Sequence, residues 1–185
     1  MTPYQLREAV RVLQHGGLIA YPTEAVYGLG CDPLDEDAVL RLLDLKRRPW
    51  QKGLILIAAD LAQLEPYLLP LDNAVRDRIT PTWPGPNTWL LPVRAETPRW
   101  LRGEHDTLAV RVIAHPISAA LCRAFGGPIV STSANLTGKR PATSPLAVRN
   151  AFGEQIDYIV HAPLGGAERP TQIRDGRTGE IVRAG

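Results

Sequence analysis

Apolar positions along this chain alternate between two periods. Leu6, Val10 and Leu13 recur at helical spacing after Pro3, and Gly16-Gly17 closes the run, which predicts a first helix. Leu18-Ile19-Ala20-Tyr21 follows as a buried strand running into Pro22-Thr23-Glu24. From about Asp35, Val39, Leu42 and Leu43 return to one helical stripe, with Lys46 near its C-terminal end. Gly53 to Ala58 is a continuous apolar run of strand length, and two shorter helices are predicted over Leu61 to Leu68 and Asp72 to Ile79. Trp89 to Val93 and Leu108 to Ile113 read as further strands. His115-Pro116 opens another helix that ends at Gly126-Gly127, before Ile129-Val130. Ser144-Pro145 caps a helix to about Phe152. Tyr158-Ile159-Val160, Gln172-Ile173-Arg174 and Glu180 to Arg183 complete the strand pattern.

No repeat or low-complexity linker interrupts this alternation, so residues 1–185 are expected to form a single α/β domain with a mixed sheet. Strand order is not readable from the pattern. The length allows a full core. No apolar run approaches the ~18 residues of a membrane span, and the N-terminus lacks the apolar core of a signal peptide. Cys31 and Cys122 form neither a disulfide framework nor a metal-ligand spacing. A cytoplasmic protein without membrane association is therefore expected.

Net charge is only +2, so the total carries no nucleic-acid signature. The distribution is more informative. Among 21 basic residues only three are lysines, and two of them, Lys46 and Lys52, flank the turn Arg47-Arg48-Pro49-Trp50-Gln51. Four cations just before a buried strand suit phosphate oxygens, the arginine fork bidentately and lysine as a mobile charge. The plainer alternative is a solvated helix end whose cations complement the dipole.

Ser131-Thr132-Ser133-Ala134-Asn135 leaves the apolar strand Pro128-Ile129-Val130 with three hydroxyls and a carboxamide together. Open α/β sheets commonly present ligand-binding atoms at such strand ends, although a capping turn has the same composition. Arg111 sits within the apolar strand Leu108 to Ile113. Its charge requires either a salt-bridge partner or a bound anion. Thr23 can hold a ligand amine or hydroxyl, or cap a turn.

Familiar catalytic signatures are missing. Tyr27-Gly28-Leu29-Gly30 has neither the Gly-Lys-Ser/Thr ending of a P-loop nor a dinucleotide spacing, and no strand is predicted there. His15, His105, His115 and His161 show no metal spacing and are expected at surface or cap positions. There is no Gly-x-Ser-x-Gly elbow. Covalent catalysis and metal hydrolysis are disfavoured.

Together, Pro22 to Gly30, Lys46-Arg47-Arg48-Pro49 with Lys52, Thr107 to Arg111 and Ser131 to Asn135 resemble the YrdC/TsaC family, which makes L-threonylcarbamoyladenylate. The resemblance runs through Ile173-Arg174-Asp175 and the terminal Ile181-Val182-Arg183-Ala184-Gly185, covering essentially the whole chain. One departure is Ala25, where the family commonly has threonine; Thr23 is intact.

The resemblance implies a YrdC-like domain, a twisted mixed sheet flanked by helices with a deep basic cleft, of the short bacterial form. It implies conversion of L-threonine, bicarbonate (or CO2) and ATP to threonylcarbamoyl-AMP and pyrophosphate. That product serves t6A modification of adenosine 37 in tRNAs, with TsaD, TsaB and TsaE as downstream partners. Thr23, Arg111, Ser131 and Thr171 are then expected to hold L-threonine. Lys46, Arg48, Lys52, Thr107, Ser133, Asn135 and Arg183 are expected to hold ATP, with Mg2+ on the triphosphate rather than on protein side chains. No dedicated acid, base or nucleophile is expected, because positioning and charge neutralisation suffice for phosphorus transfer.

A second reading is a binding protein that holds double-stranded RNA or tRNA in a basic cleft. Arg111 inside an apolar strand suits a small buried anion better than a helical backbone. A third, carbamoyl transfer in metalloenzyme maturation, normally needs additional domains.

Overall fold

The computed structural model describes residues 1–167 and 171–184. Helix α1 (Pro3–Gln14) starts at a capping box, Thr2 accepting from the Gln5 amide while the Gln5 side chain accepts from that of Thr2. Asp35 caps α2 (Glu36–Leu45), Asp72 caps α3 (Asn73–Ile79), and α4 (Arg99–Arg102) is a single turn. His115 stands at the N-cap of α5 (Pro116–Phe125) but is buried, and left-handed Gly126 ends that helix. Ser144 caps α6 (Pro145–Phe152). No described helix is long and apolar enough to cross a membrane.

The strands are β1 (Ile19–Pro22), β2 (Tyr27–Gly30), β3 (Ile55–Ala58), β4 (Asn87–Pro92), β5 (Thr107–Val112), β6 (Ile129–Ser133), β7 (Tyr158–Ile159), β8 (Gln172–Asp175) and β9 (Ile181–Arg183). They form one twisted mixed sheet in the order β7-β1-β2-β6-β3-β5-β4-β8-β9. The pairs β1–β7, β3–β5 and β4–β8 are parallel and the others antiparallel.

Three local expectations are corrected. Leu61 to Leu68 forms only a 3₁₀ turn at Glu65–Tyr67, because Pro66 has no N–H to continue a helix begun at Leu61. Tyr27–Gly30 is a full strand. A side chain at Gly30 would lie 2.3 Å from the Val130 carbonyl oxygen and 2.9 Å from the Tyr21 ring, so glycine there reflects close packing. The serine-rich run begins inside β6: Ser131 to Ser133 are its last residues, Thr132 pairing with Leu29 and Ser133 with Gly28, and only Ala134 and Asn135 follow it.

Side-chain alternation places the site. One sheet face buries Leu56, Val110 and Val130 beneath residues of α2, α3, α4 and α6. The opposite face carries Ile57, Ile113 and Ile129, which pack with Ala9 and Leu13 of α1 and with Leu121 and Cys122 of α5. Along the same strands this second face continues through Ile55, Arg111, Ser131 and Ser133, since Ile57 pairs with Arg111 and Ile55 with Ser131. The polar continuation lines a cleft.

Candidate functional site

A cavity of about 310 Å³ opens on this half of the face. Its lining includes Thr23, Arg48, Arg111, Ser131, Ser133, Thr171 and Arg183. A neighbouring cavity of about 210 Å³ shares Arg48 and Arg183 and adds Lys52 and Thr107. The four positions expected to hold an amino acid therefore line one cavity. Five of the seven nucleotide positions line one or both cavities. Lys46 and Asn135 line neither.

Arg111 is 5% exposed, and its one ion pair is with Glu24, Nη2 to Oε2 at 3.6 Å. Its Nε is buried without a partner. A buried guanidinium this poorly satisfied is expensive unless a ligand completes its fork. Thr23 Oγ1 donates to the Val26 carbonyl at 2.7 Å, which leaves its lone pairs to accept from an ammonium group. Ser131 is buried beside these residues, and Thr171 Oγ1 lies 3.5 Å from that of Thr88. The arrangement fits an α-amino acid, its carboxylate on Arg111 and its polar groups on hydroxyls.

The second cluster is cationic. Arg47 adopts φ 49° where α2 ends, and the Arg48 amide donates to the Leu43 carbonyl at 2.9 Å. That left-handed turn costs about 1–2 kcal/mol for a non-glycine residue, and it directs Arg48 to the cleft. Arg48 donates to the Gly53 carbonyl at 2.9 Å, while its Nε is buried without a partner. Burial first, and the charge of Arg183 second, lower the pKa of Arg48. The charge of Arg183 thus disfavours that of Arg48, and an anion between them would relieve the repulsion.

Lys46 takes a different part. It is buried, and its Nζ donates to the carbonyl oxygens of Ser133 and Asn135. Burial, followed by the nearby Arg48 charge, lowers its pKa from 10.5 to about 8. Asn135 accepts from the Ser133 hydroxyl at 2.6 Å and donates to the Leu136 and Lys139 carbonyls. Both residues thus fix the end of β6 at Ser133 and the loop that follows it.

Sequence reasoning missed Glu24. Its signal was present: a charged residue at the end of an apolar strand, in a chain where Arg111 needed a partner. Among the described residues no three acidic, histidine or cysteine side chains gather as a metal site.

The Sua5/yciO/yrdC family model, described as telomere recombination, matches residues 11–185. A threonylcarbamoyl-AMP synthase of Halorhodospira halophila is 58% identical, the match spanning 98% of this chain and 95% of that protein. One from Nitrosococcus oceani is 55% identical over 97% of each. The crystal structure of P. abyssi Sua5 complexed with L-threonine superposes with a TM-score of 0.89 at 35% identity, covering 95% of this chain and 52% of the Sua5 chain.

Proposed function

The chain belongs to the Sua5/YciO/YrdC family, and from that premise we propose that it joins L-threonine, bicarbonate or CO2, and ATP into threonylcarbamoyl-AMP and pyrophosphate. The observation that carries the reading is Arg111, a buried guanidinium with spare donors in a cavity whose other wall is cationic.

The threonine ammonium loses a proton to solvent, and the free amine attacks CO2, forming the N–C bond and releasing a second proton to give a carbamate; from bicarbonate the same bond forms with loss of one water. A carbamate oxygen then forms a bond to the α-phosphorus, the bond from that phosphorus to the bridging oxygen breaks, and pyrophosphate leaves. Arg111 fixes the amino acid through its carboxylate, and Thr23 orients the amine. Arg48, Lys52 and Arg183 neutralise charge that grows on the leaving pyrophosphate. Ser133 and Thr107 supply hydroxyl contacts, and Lys46 with Asn135 holds the end of β6 at Ser133 in place. Such positioning of two reactants is the main catalytic resource of a site with no dedicated base.

Mg2+ carried on the triphosphate would supply further neutralising charge beside Arg48, Lys52 and Arg183. The hydroxyl-rich rim at Ser131 and Ser133 suits such a nucleotide-borne ion better than a resident metal. In the cytoplasm the product passes to the t6A machinery, TsaD, TsaB and TsaE. Contact with tRNA or double-stranded RNA would draw on exposed cations such as Lys52 and would weaken steeply with salt.

The test is product analysis by mass. Incubation with ATP, bicarbonate and each amino acid should release pyrophosphate and form the mixed anhydride only with threonine and bicarbonate present. Release of ADP and inorganic phosphate would contradict the reading.

A further inference from the structure

Glu24 is 8% exposed and does not line either cavity. It lies behind Arg111. One carboxylate oxygen accepts from the Ala114 amide at 3.1 Å; the other, 3.6 Å from the Arg111 guanidinium, has no hydrogen bond at all. Its backbone is pinned too, with Ala167 N donating to the Glu24 carbonyl at 2.8 Å and Gly165 N donating to that of Thr23 at 3.0 Å. His115 packs nearby, its Nε2 donating to the Pro163 carbonyl at 3.1 Å, and burial lowers its pKa, which disfavours the charged ring.

The rest of the cleft lacks such compensation. Among the described residues, ion pairs within 4 Å engage Arg11, Arg41, Arg76, Arg111 and Arg177, and none engages Arg48, Lys52 or Arg183. Among the described residues, one end of the cleft therefore holds a cation faced by a carboxylate and the other a set of cations without an ion pair. A zwitterion and a polyanion differ in their need for net charge, so the two ends discriminate between them.

We propose that Glu24 sorts the two substrates: by cancelling the charge of Arg111 it lets that end take a zwitterionic amino acid and refuse phosphate-type anions, which are left to Arg48, Lys52 and Arg183. This rests on the proposed function above. Glu24 is a positioning residue, since it acts through Arg111 and touches no substrate.

The experiment is calorimetric titration with threonine, and separately with ATP, at rising sulfate, using native protein, Glu24→Gln and Glu24→Asp. Sulfate should compete with ATP in the native protein and leave threonine affinity unchanged. In Glu24→Gln it should weaken threonine binding roughly tenfold, the scale of one charge-assisted contact. Glu24→Asp keeps the charge and should stay insensitive. If sulfate displaces threonine from the native protein, or if folded Glu24→Gln is as insensitive as native, the sorting role is wrong. Should Glu24→Gln not fold, the native and Glu24→Asp titrations decide by the same criterion. A native protein that binds no threonine in the absence of sulfate would instead overturn the proposed function.

Discussion

Lys46 Nζ spans from the end of α2 to the carbonyl oxygens of Ser133 and Asn135, at 2.5 and 2.7 Å. A residue whose type and position suggest a phosphate ligand is thus also a strut between α2 and the end of β6 at Ser133. Lys46→Met leaves two carbonyl groups without this donor and should lower stability by about 1–3 kcal/mol. Lys52→Met, on an exposed side chain, should change stability by no more than ~0.5 kcal/mol. Both should weaken ATP binding. Urea melts and ATP titrations of the two variants check the contrast.

The same lysine gives a pH dependence of known sign. Its native pKa, about 8, lies below the ordinary 10.5. Between these values the unfolded chain binds the proton and the native protein does not, so stability rises with pH through that window. The cost of the buried ammonium is present in full below pH 8 and is relieved toward pH 10.5. The stability difference between native protein and Lys46→Met should therefore grow in favour of native from pH 8 to pH 10, measured by urea melts.

Much of this fold was legible in the chain because most elements have a single period and clear ends. Asp35, Asp72 and Ser144 cap the helices they precede, and Leu108 to Ile113 forms a strand as its apolar run requires. What was illegible lacked side-chain signal. Gly28 and Gly30 carry no pattern, since the Tyr21 ring of the neighbouring strand lies over them. The site was read by residue type, which found Arg111 and Arg48 but not the geometry that makes Lys46 and Asn135 supports. Glu24 escaped because a pairing between positions 24 and 111 depends on sheet order.

Close packing at β2 predicts an order of effects. An added methyl at Gly28 meets the edge of the Tyr21 ring at 3.1–3.3 Å, a side chain that can shift by a few tenths of an ångström, whereas at Gly30 it meets the Val130 backbone carbonyl at 2.3 Å. Gly28→Ala should cost about 1 kcal/mol, and Gly30→Ala about 3 kcal/mol or more, the upper part of the range for overpacking. Thermal melts of the two proteins give the comparison.

Arg183, on terminal strand β9, lines both cavities and lowers the pKa of Arg48 through its charge. Arg183→Gln should weaken ATP binding by roughly 1.5–3 kcal/mol, the scale of a hydrogen bond to a charged group. Threonine affinity and melting temperature should hardly change. An equal loss for both ligands in steady-state titrations would place Arg183 outside the nucleotide end.

In the proposed function the amino acid sits on Arg111 and the nucleotide does not. Calorimetric titration of Arg111→Lys separates the two, because lysine keeps a cation beside Glu24 while losing the planar fork. The variant should fold, and its threonine affinity should fall about thirtyfold or more, roughly 2–3 kcal/mol, with ATP affinity unchanged. Undiminished threonine binding, or a loss confined to ATP, would contradict this placement.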